Sequence, residues 1–187
     1  MIHQRFLIAC SLLLALGPSL CADVTIDDLK PGLVAVYKDA ATPPVEIVRV
    51  DPTVGFTWKA GEAAHPRLAA DGGSVTWNGY LNILRPGEYR FSATVQGKVQ
   101  VSVAGRDVLI ADSKGDKPAV SEGTPVRLEG GPQPVAITFT RTASAARLEL
   151  FWHASYFRTE PLPYDALFHL PAKVPGGLAT TSMLERG

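Results

Sequence analysis

The chain has 187 residues, 46% of them hydrophobic and 19% charged, with 18 Lys and Arg against 18 Asp and Glu. That length allows one domain with short extensions, and that composition is globular rather than disordered. A net charge of zero offers no electrostatic footprint for nucleic acid or for an anionic membrane.

Residues 1–22 read as a secretory signal peptide. Arg5 precedes an apolar run from Phe6 to Leu16, followed by Gly17, Pro18 and small residues up to Ala22. The run is too short for a spanning helix, so no transmembrane segment is expected after its removal. Cleavage is expected after Cys21 or Ala22. It removes Arg5, so 18 basic residues less one leaves 17 against 18 acidic. Both cysteines, Cys10 and Cys21, lie in this leader. An exported product, whether periplasmic, cell-surface or secreted, then holds together by packing without disulfides. A thiol nucleophile, a Cys-based zinc site and haem attachment are excluded from the mature domain on the same ground.

The segment 23–30 is polar and reads as an extended arm. Strands are expected over Gly32–Lys38, Val45–Val50 and Val54–Trp58, with a break at Pro43-Pro44. Gly61–Gly73 holds Gly, Ala, His65, Pro66 and Asp71-Gly-Gly73 and reads as a long surface loop. In Ser74–Ile83, Val75, Trp77, Leu81 and Ile83 stay in phase across Gly79. After the turn Pro86-Gly87, residues Tyr89, Phe91, Ala93 and Val95 alternate with Arg90, Ser92 and Thr94, the period of a half-buried strand. Gln96-Gly97 is read as a hairpin turn into Lys98–Val103, where Val99, Val101 and Val103 point inward. Gly105-Arg106 turns the chain into Asp107–Ile110, and Ala111–Gly123 reads as a second long loop. Val126 and Leu128 precede the turn Glu129–Pro132. Val135, Ile137 and Phe139 mark the next strand, and Arg147–Trp152 the last, with Leu148, Leu150 and Trp152 on one side. No helix of more than a turn or two is found. Short strands at this spacing mean an all-β, antiparallel β-sandwich, jelly-roll-like in its connections. Residues 171–187, with Pro171, Pro175 and Gly176-Gly177, read as a flexible tail or linker, with little order expected from Ala172 onward.

The ordered set Gly32–Tyr37, Val75–Leu81, Pro86–Phe91, Val101–Gly105, Val126–Gly130 and Leu148–Trp152 resembles the anthrax protective-antigen-type (PA-14) domain over residues 31–170. Its most distinctive stretch is Trp77-Asn-Gly79 with Pro86-Gly87-Glu-Tyr89. The resemblance implies a non-catalytic β-sandwich that binds carbohydrate or serves adhesion, with a glycan or cell-surface polysaccharide as partner. In its calcium-holding members two adjacent aspartates occupy the loop after the Tyr-x-Phe strand. Here that loop is Val95-Gln96-Gly97. Calcium needs several oxygen ligands, usually with carboxylate charge, and Gln96 does not replace two aspartates. No metal or cofactor is therefore expected. The resemblance also implies an alternative, a protein-interaction or spacer domain positioning a neighbouring module such as a c-type cytochrome. No Cys-x-x-Cys-His occurs in this chain.

The candidate ligand-binding residues are Gln96 and Lys98 in that loop, and His153, Ser155, Tyr156 and Arg158 after the last strand. The family resemblance brings these two loops together. Tyr156 is then a stacking platform, and His153 or Arg158 a hydrogen-bond donor to a hydroxyl-rich ligand. The plainer reading is an ordinary surface loop. Trp77 and Trp152 are in phase with apolar neighbours and belong to the core, whereas Trp58, beside Lys59 and a long loop, is the better candidate for exposure. Asp107, Asp112 and Asp116 lack the spacing of a calcium loop, and His65, His153 and His169 are too scattered for a metal site. Glu46, Glu88, Glu122, Glu129 and Glu149 fall on outward positions or turns with no pair marked for acid–base chemistry. No catalytic residues are assigned, and the chain is not expected to be an enzyme.

Overall fold

A computed structural model describes residues 24–113 and 116–173. The expected leader, with Cys10 and Cys21, and the tail from residue 174 lie outside the described residues. Among the described residues fourteen strands run β1 Lys30–Pro31, β2 Leu33–Lys38, β3 Glu46–Asp51, β4 Gly55–Trp58, β5 Ser74–Ile83, β6 Gly87–Gln96 and β7 Lys98–Val103. They continue as β8 Arg106–Asp112, β9 Ala119–Glu122, β10 Val126–Leu128, β11 Gly131–Thr140, β12 Ala146–Ala154, β13 Phe157–Pro161 and β14 Leu167–His169. The only helical elements among the described residues are three 3-10 turns of three residues each. None is long and apolar enough to cross a membrane.

Two antiparallel sheets, one of eight strands and one of six, stack into the expected sandwich. The larger runs β3-β2-β5-β11-β7-β8; β14 continues the line of β2 along the same edge of β5, and β1 pairs outside β14. The smaller centres on β6 and β12. β10 and β9 lie end to end along one side of β6, and β4 and β13 end to end along the far side of β12. Alternation selects the core: Trp77, Phe91, Phe139, Leu148 and Leu167 are almost fully enclosed, and each such side chain contributes about 2 kcal/mol on burial. Trp152 is also buried, and Trp58 is half-buried at the core margin.

The turn expected at Gln96-Gly97 is not a hairpin. β6 belongs to the six-stranded sheet and β7 to the eight-stranded one, so Gly97 is the corner at which the chain crosses between layers. Both strands present apolar side chains to one core because they approach it from opposite sides. The corner needs glycine, since its φ is +129 and an added Cβ would stand 2.5 Å from the Phe139 ring. A genuine hairpin joins β7 and β8 through Ala104 and Gly105, both at positive φ, the backbone of a type I′ turn.

Other departures concern short edge segments. The polar arm holds a 3-10 turn, Ile26–Asp28, capped by Thr25. Its apolar residue Leu29 is buried, and Lys30–Pro31 pairs with β14. The second long loop is interrupted by β9 and shortened by β8, which extends through Asp112. Pro171–Lys173 closes a 3-10 turn where little order was expected.

Candidate functional site

The register of β6 on β12 decides which candidate residues can meet. Gln96 pairs with Arg147 at one end, whereas Arg90 pairs with His153 and Tyr89 with Ala154 at the other. Seven residues of strand separate Tyr89 from Gln96, about 24 Å. The two loops expected to converge therefore sit at opposite poles of the sheet. Gln96 and Lys98 form no common site with His153, Ser155, Tyr156 and Arg158.

At the Gln96 pole the corner is sealed by its own polar groups. Gln96 is only 9% exposed, and its Nε2 donates to the Asp116 carbonyl at 3.1 Å. The Gly97 N–H donates to the Ser113 hydroxyl at 2.8 Å, and the Ser113 N–H donates to the Gly97 carbonyl at 2.9 Å. These residues do not fit calcium: the corner offers an amide already committed to backbone and no carboxylate pair. Among the described residues no group of three or more His, Cys, Asp or Glu is placed to hold a metal ion. Lys98 is exposed on β7.

At the opposite pole, His153 and Ser155 line a polar groove of about 260 Å³ on the outer face of the six-stranded sheet, with Glu88, Arg90 and Glu122. The groove lies at the seam between β10, which pairs with β6 through residues 87–89, and β9, which pairs through residues 92–95. Arg90 reaches Glu122 at 3.5 Å across that seam. The wall thus offers a guanidinium, an imidazole, carboxylate acceptors and a hydroxyl, a mixture suited to vicinal hydroxyl groups, each of which both donates and accepts. Tyr156 is already engaged. Its hydroxyl donates to the Arg85 carbonyl at 2.9 Å and touches the Tyr89 hydroxyl, and the Arg85 guanidinium covers one face of its ring at 4.8 Å. Burial, reinforced by Tyr156, pushes the Tyr89 hydroxyl above the ordinary tyrosine range, so it remains a donor. Arg158 is exposed on β13 and is not part of the groove.

Sequence reasoning missed Arg90, Glu88 and Glu122 as partners of His153. It also missed a second polar cluster, on the flank where β3 and β4 are the edge strands of the two sheets. The inward phase of β3 carries Ile47, Arg49 and Asp51, opposite the core residues Tyr37, Ala35 and Leu33. Asp51 is 6% exposed. Its Oδ2 accepts from the Tyr37 hydroxyl at 2.5 Å and from the Trp77 indole N–H at 2.8 Å, while Oδ1 accepts from Arg49 Nε at 2.6 Å. Arg49 also donates to the Tyr37 hydroxyl at 2.6 Å and lies 4.4 Å over its ring. Burial first, and then the Asp51 carboxylate, push the Tyr37 hydroxyl well above its ordinary range. The legible signal was two opposite charges, Arg49 and Asp51, two residues apart and therefore on one face of a strand.

The family model of the PA14 domain matches residues 29–157, more than half of the chain. The chain belongs to the PA14 domain family. Solved structures agree on the fold. The PA14 sugar-binding domain from an RTX adhesin superposes with a TM-score of 0.63 at 15% identity, covering 74% of this chain and 98% of that one. The Epithelial Adhesin 6 A domain from Candida glabrata, solved in complex with Galb1-3GlcNAc, gives 0.59 at 14% identity, over 75% and 87% of the two chains. An anti-sigma factor domain-containing protein gives 0.65 at 23% identity, over 74% of this chain, which spans about half (48%) of that protein's length. At such identities the likeness speaks for the PA14 fold alone. No curated protein matches the chain.

Proposed function

We propose that this chain is a non-catalytic, exported carbohydrate-binding or adhesion module that works without the calcium aspartate pair. Membership of the PA14 family and the sugar-binding and adhesin domains among its structural neighbours support the general class. The observation that carries the reading is the groove of His153, Ser155, Arg90, Glu88 and Glu122. It groups donors and acceptors on a rigid sheet face, away from the sealed Gln96 corner. Glycan-array binding by the mature chain, with and without a chelator, tests it. Binding should survive the chelator and fall about tenfold in Arg90→Ala or His153→Ala, a loss of about 1.4 kcal/mol. A folded protein retained by no glycan would overturn the proposal.

One observation favours the second reading, a protein-interaction or spacer domain. The outer face of the eight-stranded sheet carries an apolar groove of about 500 Å³, lined by Val34, Val36, Tyr80, Pro134, Ala136 and Leu170 among others. Maleimide labelling of Ala136→Cys tests it: slow labelling in the native full-length protein and fast labelling in the isolated chain would support a covering neighbour.

A further inference from the structure

We propose that the chain's own tail, residues 174–184, lies in the apolar groove on the outer face of the eight-stranded sheet. The groove, about 500 Å³, is floored by one cross-strand row. In that row Val34 faces Asn78, Asn78 faces Ala136, and Ala136 faces Ser102. The groove therefore runs across β2, β5, β11 and β7, perpendicular to the strands. Tyr80 and Pro134, paired with each other two residues away on β5 and β11, form one wall.

The path of the chain names the occupant. Leu170 and Lys173 also line the groove, and Lys173 is the last described residue. Residue 174 therefore starts at the rim. The row spans three inter-strand steps of about 4.8 Å, or about 14 Å in all. Five extended residues, Val174 to Leu178, cover about 16 Å, which carries Leu178 to the far end at Ser102.

The chemistry of the segment matches the floor. The eleven residues from Val174 to Leu184 carry no charge, and Val174, Leu178, Met183 and Leu184 are apolar. Among the described lining residues there is no carboxylate, and the first charge past Lys173, Glu185, comes only after that run. Pro175 favours extended backbone, and Gly176-Gly177 lets the chain pass close to the Tyr80 ring. A solvated spacer has no use for Leu178, Met183 and Leu184 so close together. Tethering supplies a local concentration of about millimolar order, so modest contacts suffice. The groove of His153 lies on the other sheet, so the proposal is independent of the carbohydrate reading.

The test places a single cysteine on the groove floor, Ala136→Cys, in the full mature chain and in one ending at Lys173. Maleimide should label the shorter form about tenfold faster, as expected when the tail is docked about nine-tenths of the time. Leu178→Asp in the full mature chain should speed labelling likewise, and Glu185→Gln should leave it unchanged. Glycan binding should be the same in both lengths. Should Ala136→Cys fail to fold, 1-anilinonaphthalene-8-sulfonate fluorescence decides on the unsubstituted forms, several-fold brighter without the tail. Equal labelling or equal dye fluorescence in the two lengths overturns the proposal, whether the groove is open or shut in both. Protection that rises with protein concentration gives the groove to a second copy. Protection that needs a neighbouring domain gives it to that domain. Either result also overturns the proposal.

Discussion

Arg141 is a cation 6% exposed, with no carboxylate against it among the described residues. Its guanidinium donates to the carbonyls of Lys59, Glu62, Ala70, Ala143 and Ser144, and five acceptors replace the counter-ion that burial demands. The result is a staple holding the glycine-rich 61–73 loop to the end of β11. Arg141→Ala is expected to cost about 3 kcal/mol and to open cleavage sites within residues 59–73, read by urea midpoint and limited proteolysis. Arg141→Lys should not rescue it, because an ammonium lacks the planar fork. Gly97→Ala combines a strained φ with a clash against Phe139. It should cost about 3 kcal/mol, seen as a lowered midpoint with unchanged m. Neither role could be read from sequence: Arg141 looks like a surface residue after a strand, and Gly97 like half of a hairpin turn. What identifies them is where distant carbonyls and a ring arrive in space.

Loops and short strands show a similar limit. The long strands β5, β6, β7 and β12 were legible because one face of each is buried, which imposes a two-residue period. The strands β1, β9, β13 and β14 were not. They have two to five residues, two of them include Pro31 or Pro161, and only β14 buries much of itself. Pairing with a long neighbour makes them strands. Gly79 marks such a seam: β2 pairs with β5 up to Asn78 and β14 from Tyr80. A Cβ at Gly79 would strike the Phe168 carbonyl at 2.2 Å. The candidate site was half legible for a related reason. His153 lies near the end of a strong strand and Ser155 just after it, whereas their partners Arg90 and Glu122 depend on cross-strand register. The connection between β2 and β3 carries its own pH dependence. The backbone N–H of Val45 holds the Asp39 carboxyl below the usual carboxylate range against the effect of burial, helped by Ala69 and Ala41. A lowered folded pKa contributes stability that is present above the unfolded value, about 3.9, and is lost as pH falls through the folded value. Asp39→Asn should therefore lower Tm at pH 7 and flatten its decline below about pH 4.

For the molecule as a whole, the family match ends at residue 157, but the core does not. Leu162, Ala166 and Leu167 are buried within it, and β14 completes the edge of the eight-stranded sheet. A chain ending at residue 157 is expected to lose more than about 4 kcal/mol relative to one ending at 173, since Leu167 alone is a buried side chain worth about 2–5 kcal/mol. Urea unfolding of the two forms checks this. The same final strand lies against the first, with Lys30 facing His169. Entry and exit of the polypeptide thus share one doorway. A unit built this way can be spliced into a single surface loop of a host protein without prising that loop apart. It would then hang as a side branch with both poles free, contributing almost nothing to the host's end-to-end reach.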